Sequence, residues 1–233
     1  MAERPIFVPA PSEPEMVREI SFPLVWNPGF SPVQKKKNIK ALHAAAAAAG
    51  YAPLLEISTK SDRKVGRHLS AFHLKVHTSQ SGDIPLECAF QGSKVFERGG
   101  PFTDLFATDP KSAKRDPRLS ASGPLIGFKF ENLSFPLQPK TVFYDWLYVS
   151  AIYPHRDWLK ILHGFAGFTD IEFNPERSLN CQARSCALFV ALMSRNLLET
   201  AIASPDSFIA LFSGLASQPS HEKKTLQEAL FVK

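Results

Sequence analysis

The sequence predicts an α+β fold that is mainly helical, one compact domain with a few short strands. The chain has 233 residues, of which 44% are hydrophobic, which suits a single domain with a sizeable core. Segments with helix punctuation or continuous apolar character, such as 31–50 and 181–199, outweigh the short strand-like runs. No internal repeat and no clear linker divides the chain, so its elements are expected to share one body.

Taken in order, residues 1–15 are rich in proline and acid and read as an extended N-terminal arm, 16–215 as the folded domain, and 216–233 as a polar tail with at best a weak turn. Ser31 and Pro32 suit an N-cap and first helical position, the alanines at 44–49 propagate that helix, and Gly50 ends it; its lysines read as facing water. Pro53 to Ile57 and His68 to Val76 are strand-like, the second alternating only in part. Leu86 to Glu97 reads as a short helix, and residues 98–125 as a turn-rich loop. Gly123 to Phe130 predicts a strand that pairs with Phe135 and Leu137 around Glu131 and Asn132. Pro139 is expected to start a helix through Ile152, and Pro154 a second one to about Phe165. Phe168 to Phe173 reads as a strand, residues 181–199 as the most buried helix, and about 205–213 as the last.

Composition narrows the function classes. A net charge of +5 permits a polyanionic partner without demanding one. The three cysteines, Cys88, Cys181 and Cys186, show no CxxC pairing and no disulfide framework, which points to a reducing cytoplasm. No signal peptide or membrane span is expected. The seven histidines lack metal-ligand spacing, and no GxGxxG, Walker loop or GxSxG elbow occurs, so no metal or cofactor is expected.

The chemistry-bearing pattern is Glu87, Gln91 and Lys94 at i, i+4 and i+7. On a helix these fall within one narrow sector, with the outer Cα atoms about 10 Å apart. Cys88, Ala89, Gly92 and Ser93 would let a ligand approach closely. The same spacing also describes any solvated helix face. Lys111, Lys114, Arg115 and Arg118 fall within eight positions of the 98–125 loop, long for an idle connection, and could hold a DNA backbone or simply face solvent. Asn180 is a good N-cap, and with Arg184 beside the free amides that follow it could receive a diphosphate. Asp170, Glu172 and Asn174 alternate and can face one side of a strand.

These residues resemble the NADAR family. The Glu87, Gln91 and Lys94 spacing matches its signature helix, and the segments 95–105, 143–148, 168–175 and 180–185, with Trp26-Asn27-Pro28-Gly29-Phe30 and the lysines at 35–37, resemble the branch that accompanies DarT-type DNA ADP-ribosyltransferase toxins. Together they span roughly residues 5 to 200. The resemblance implies a NADAR domain with glycosidase (hydrolase) activity, acting as an antitoxin that removes ADP-ribose from guanine in DNA, more readily in single strands. It implies Lys94 as a nucleophile that passes through a Schiff base, Glu87 as proton shuttle and Gln91 as a sugar-hydroxyl contact. It places Asp170, Glu172 and Asn174 near the ribose or a catalytic water and Trp146 at the cleft border. ADP-ribose would be the product and a cognate toxin a further partner. Attack by Lys94 requires its amine to lose a proton near neutrality, where only about one amine in 2,500 of an ordinary lysine is free. Glu87 must therefore be protonated or screened from it. The alternatives are an N-glycosidase acting on a free ribosylated metabolite and a non-catalytic module that binds ADP-ribose or the toxin.

Overall fold

The computed structural model describes residues 2–29, 31–176 and 178–213, and the tail expected at 216–233 lies outside them. It is an α+β arrangement of helices around three small sheets. The largest sheet has the order β2-β1-β9-β3, formed by β1 (Ala2–Pro9), β2 (Val17–Leu24), β3 (Leu54–Glu56) and β9 (Gly167–Thr169). β1 runs antiparallel to β2 with Ile6 opposite Ile20, and antiparallel to β9 with Phe7 opposite Phe168, whereas β3 and β9 are parallel.

Residues 2–9 are therefore not a detached arm. They are extended as expected but form an inner strand, because Ile6 and Phe7 point to opposite faces and each enters a core. Phe7 joins the main cluster with Phe168 and the helix α8 (Gln182–Ser194). Ile6 joins a smaller one with Ile39 and Leu42 of α1 (Pro32–Ala48). β2 has no counterpart among the expected elements, although Ile20, Phe22 and Leu24 alternate along it.

α1 begins as its residues predict, with the Ser31 hydroxyl accepting from the Gln34 amide at 3.3 Å and Pro32 in the first turn. The 68–76 segment is not a strand over its length: α2 (Lys64–His68) is followed by turns, and only Lys75–Thr78 (β4) pairs, with β5 (Gly82–Pro85). The signature helix α3 (Leu86–Gly92) is shorter than expected and gives way to β6 (Lys94–Phe96). The 98–125 segment holds a 3-10 turn at Thr103–Ala107 and two short helices, α4 (Pro110–Lys114) and α5 (Arg118–Ala121). The expected hairpin forms from β7 (Leu125–Phe130) and β8 (Leu133–Phe135), turning at Glu131 with φ of 50°.

α6 (Val142–Ile152) starts three residues after Pro139. The helix expected from Pro154 to Phe165 is broken into 3-10 turns around α7 (Arg156–Leu159). The last pieces are α9 (Leu198–Ala203) and α10 (Pro205–Ser213). α8 packs against the large sheet, α6 packs on α8, and α3 lies against α6. Among the described residues no helix is long and apolar enough to cross a membrane.

Candidate active site

A cleft of about 920 Å³ opens where α3 and β6, α4 and α5, and the turn after β9 meet. Its floor is α3, every residue of which is buried. Gly92 is what lets α3 sit so deeply: a Cβ there would come within 2.6 Å of the Phe106 ring and 2.9 Å of the Phe102 carbonyl. The chain then turns, so Lys94 stands on β6 and not on the helix. The i+7 geometry expected from sequence is lost, yet Glu87, Gln91 and Lys94 all still line the cleft, because the strand starts directly against the helix end.

Glu87 and Gln91 are each 5% exposed. Gln91 Nε2 donates to Glu87 Oε1 at 2.9 Å, and the same oxygen lies 3.8 Å from Lys114 Nζ. Gln91 Oε1 is buried and, among the described residues, has no partner, which leaves an acceptor free for a donor. Lys94 Nζ sits 4.9 Å from the centre of the Phe90 ring. Burial holds this amine below the usual lysine range; the Glu87 carboxylate opposes that effect and the Lys114 ammonium reinforces it. Lys114, expected on a DNA backbone, is thus also the cation beside Glu87.

The opposite wall carries Asp170, Glu172, Asn174 and Asn180. They do not alternate along a strand, since β9 ends at Thr169 and a turn follows. Asp170 Oδ1 accepts from the Glu172 amide and Oδ2 from Gln182 Nε2, both at 3.0 Å, and Gln182 Oε1 in turn accepts from the Ala71 amide at 2.7 Å. Burial pushes the Asp170 carboxyl up. Asn180 lines the cleft but is not the N-cap of α8, a position that Cys181 occupies. Tyr144, in the 143–148 segment of the resemblance but not named there as a site residue, also faces the cleft, edge-on to Phe90 at 5.1 Å, and burial keeps its hydroxyl protonated.

Other expected residues lie elsewhere. Trp146 packs on Phe130 and Phe135 and borders a separate cavity, because two residues along α6 from Tyr144 is the other side of the helix. Arg184 is turned away and ion-paired to Asp145, so it does not wait for a diphosphate. Arg115 lines the cleft, Lys111 is exposed outside it, and Arg118 is committed to Asp104 at 2.6 Å and Asp116 at 2.9 Å. Sequence reasoning missed Glu56, His43 and Thr169 behind the Asp170 wall; the only sign was a lone carboxylate in the apolar run Leu54-Leu55-Glu56-Ile57.

A comparison with curated proteins found no match. A family model described as the DarT1-associated NADAR antitoxin matches residues 2–222, which include the inner strand β1 and both walls of the cleft. With nearly the whole chain covered and the signature residues gathered in one cleft, the chain belongs to the family of NADAR antitoxins associated with DarT1.

Proposed function

We propose that this protein is an N-glycosidase, a hydrolase that removes ADP-ribose from guanine bases in DNA and so reverses a DarT-type toxin. The observation that carries the reading is a partly desolvated lysine amine, Lys94, sharing a cleft with the buried Glu87–Gln91 pair. The cleft volume, about 920 Å³, suits a ligand of nucleotide size.

In this reading the neutral Lys94 amine attacks C1 of the ribose. The bond from C1 to the guanine nitrogen breaks, and its electron pair leaves with the base, which takes a proton from Glu87. The Glu87 carboxylate takes a proton from the resulting secondary ammonium, whose freed lone pair forms a C=N bond while the ring oxygen leaves C1 and receives that proton from Glu87. Water adds to C1, the lysine is expelled, and ADP-ribose is released. The unpartnered Gln91 Oε1 would accept from a ribose hydroxyl. Lys114 beside Glu87 works against the hold of that carboxylate on the Lys94 ammonium, so Glu87 takes the Lys94 proton before attack and is then the acid that passes it to the base. Lys114 and Arg115 at the rim suit the phosphates of a strand whose modified base is turned into the cleft. A soluble cytoplasmic setting fits this chemistry, since both toxin and DNA would be met there.

The test is mass spectrometry of the protein mixed with guanine-ADP-ribosylated single-stranded DNA, with and without borohydride. Restored DNA and a reduced adduct on Lys94 are expected. Restored DNA without an adduct would move catalysis to Glu87 and a water, and unchanged DNA would overturn the DNA substrate.

A further inference from the structure

The wall that presents Asp170 is held from behind by a carboxylate outside the cleft. Glu56, at the end of β3, is 3% exposed and takes three hydrogen bonds. Its Oε1 accepts from Ser58 Oγ at 2.7 Å and from the Ile171 amide at 3.0 Å, and its Oε2 from the Thr169 hydroxyl at 2.6 Å. Thr169 and Ile171 are the residues on either side of Asp170. The β3–β9 ladder ends at the Glu56 and Thr169 pair, so the Glu56 side chain takes up the Ile171 amide beyond the ladder's last pair. From these contacts we infer that Glu56 is a positioning residue for the reaction, gripping both neighbours of Asp170 and so fixing how that carboxylate enters the cleft. The inference deepens the glycosidase reading and rests on it.

The same contacts control charge. Burial pushes both carboxyls up, Glu56 the further of the two, and the Asp170 charge adds to the effect on Glu56. Glu56 is shielded from water and the Asp170 charge adds to the effect of that burial, so the two do not both ionise readily and the pair retains a proton near neutrality. With that proton on Glu56 Oε2, the bond to Thr169 reverses and the Thr169 hydroxyl donates to His43 Nε2, which lies 2.9 Å away. Burial lowers His43 to about 4, so its ring is neutral and able to accept. The other groups facing the pair are Glu172 in the turn, Tyr144 and Tyr148 on α6 and Cys181 before α8; burial keeps the last three protonated well into the alkaline range. Asp170 then ionises toward the cleft while Glu56 stays neutral behind it.

The test compares wild type, Glu56→Ala and Glu56→Gln on guanine-ADP-ribosylated single-stranded DNA from pH 5 to 10, with thermal melts as the folding control. Glu56→Ala is expected to lower kcat on the order of 10- to 100-fold with KM within about threefold, because Asp170 loses its orientation. Glutamine has the shape of the protonated acid, with one acceptor and a donor for Thr169, so it should restore kcat to within about threefold. Glu56→Gln should also abolish the loss of activity above neutrality that Glu56 ionisation causes in wild type. A carbon-13 NMR titration of the Asp170 carboxyl, without substrate, should show a second inflection that disappears in Glu56→Gln. A folded Glu56→Ala protein with wild-type kcat, or a Glu56→Gln pH profile that overlays wild type, would overturn the inference. If Glu56→Ala does not fold, the Glu56→Gln profile decides. An inactive wild-type protein would count against the glycosidase reading alone, and the NMR titration would then decide for or against the pair.

Discussion

Glu87 and Asp145 are both buried carboxylates, 5% and 4% exposed, yet they are treated in opposite ways. Both oxygens of Asp145 are engaged: Oδ1 accepts from Ser185 Oγ at 2.6 Å, and Oδ2 from Thr141 Oγ1 at 2.7 Å and from Arg184. Among the described residues Glu87 has one short bond, to Gln91, and a distant cation at 3.8 Å, and its neighbour Gln91 keeps an acceptor without a partner. A buried carboxylate whose two oxygens are engaged by three donors ties α6 to α8 and has little left for a ligand. One with capacity to spare is a cost to the fold that a ligand can recover. Charge and burial alone do not separate the two; the completeness of the hydrogen bonding does.

The largest test of this contrast is Lys94→Ala, expected to reduce turnover on the order of 10³-fold or more while binding of an ADP-ribosylated oligonucleotide stays within about fivefold. Single-turnover kinetics beside fluorescence anisotropy would measure both. Full toxin neutralisation by that variant would refute protection by catalysis. Next, Glu87→Gln and Asp145→Ala should fail in opposite assays. The first should lose about 10²-fold in turnover with an unchanged melting temperature. The second should cost about 2 to 3 kcal/mol of stability, lowering the melting temperature by about 5 to 10 °C, with kcat retained where the protein is folded; Arg184 keeps some access to water, which holds the cost at that level. A Glu87→Gln protein as unstable as Asp145→Ala would erase the distinction.

A smaller effect is expected at Lys114. Its ammonium helps hold the Lys94 amine down, so Lys114→Ala should raise the amine's pKa, move the pH optimum upward and cost a few-fold in neutral-pH turnover. An optimum that stays in place would remove Lys114 from the electrostatics of the cleft. The smallest is a stability slope from His43, whose pKa falls from 6.5 unfolded to about 4 folded. A depressed pKa gives stability that is fully present above 6.5 and lost as pH falls through 4. Melting temperatures between pH 7 and 4 should therefore fall less steeply in His43→Gln, in which the amide can still bond Thr169.

The signature triplet was legible because Glu87, Gln91 and Lys94 lie within eight residues, and short-range chain geometry keeps such neighbours together even where the helix ends early. The helix start at Ser31–Pro32 and the hairpin at Glu131 were legible for the same reason: caps and turns are decided by a few adjacent residues. Trp146 and Arg184 were misplaced because a helix assignment does not say which of its faces meets the ligand. One residue of shift along α6 rotates a side chain by about 100°, and packing against Phe130 and Phe135 settled the matter for Trp146.

By itself the sequence determined the family, the grouping of Glu87, Gln91 and Lys94 and most of the helical segments, all of which depend on local patterns. Only the tertiary structure decided that residues 2–9 form an inner strand, that Arg184 belongs to Asp145, and that Glu56 reaches Thr169 and Ile171 across more than a hundred residues. Hydrogen bonds between distant segments depend on which strands become neighbours. That choice is made by burying Ile6, Phe7 and Phe168 together with their partners, a global fit that no short window of residues contains.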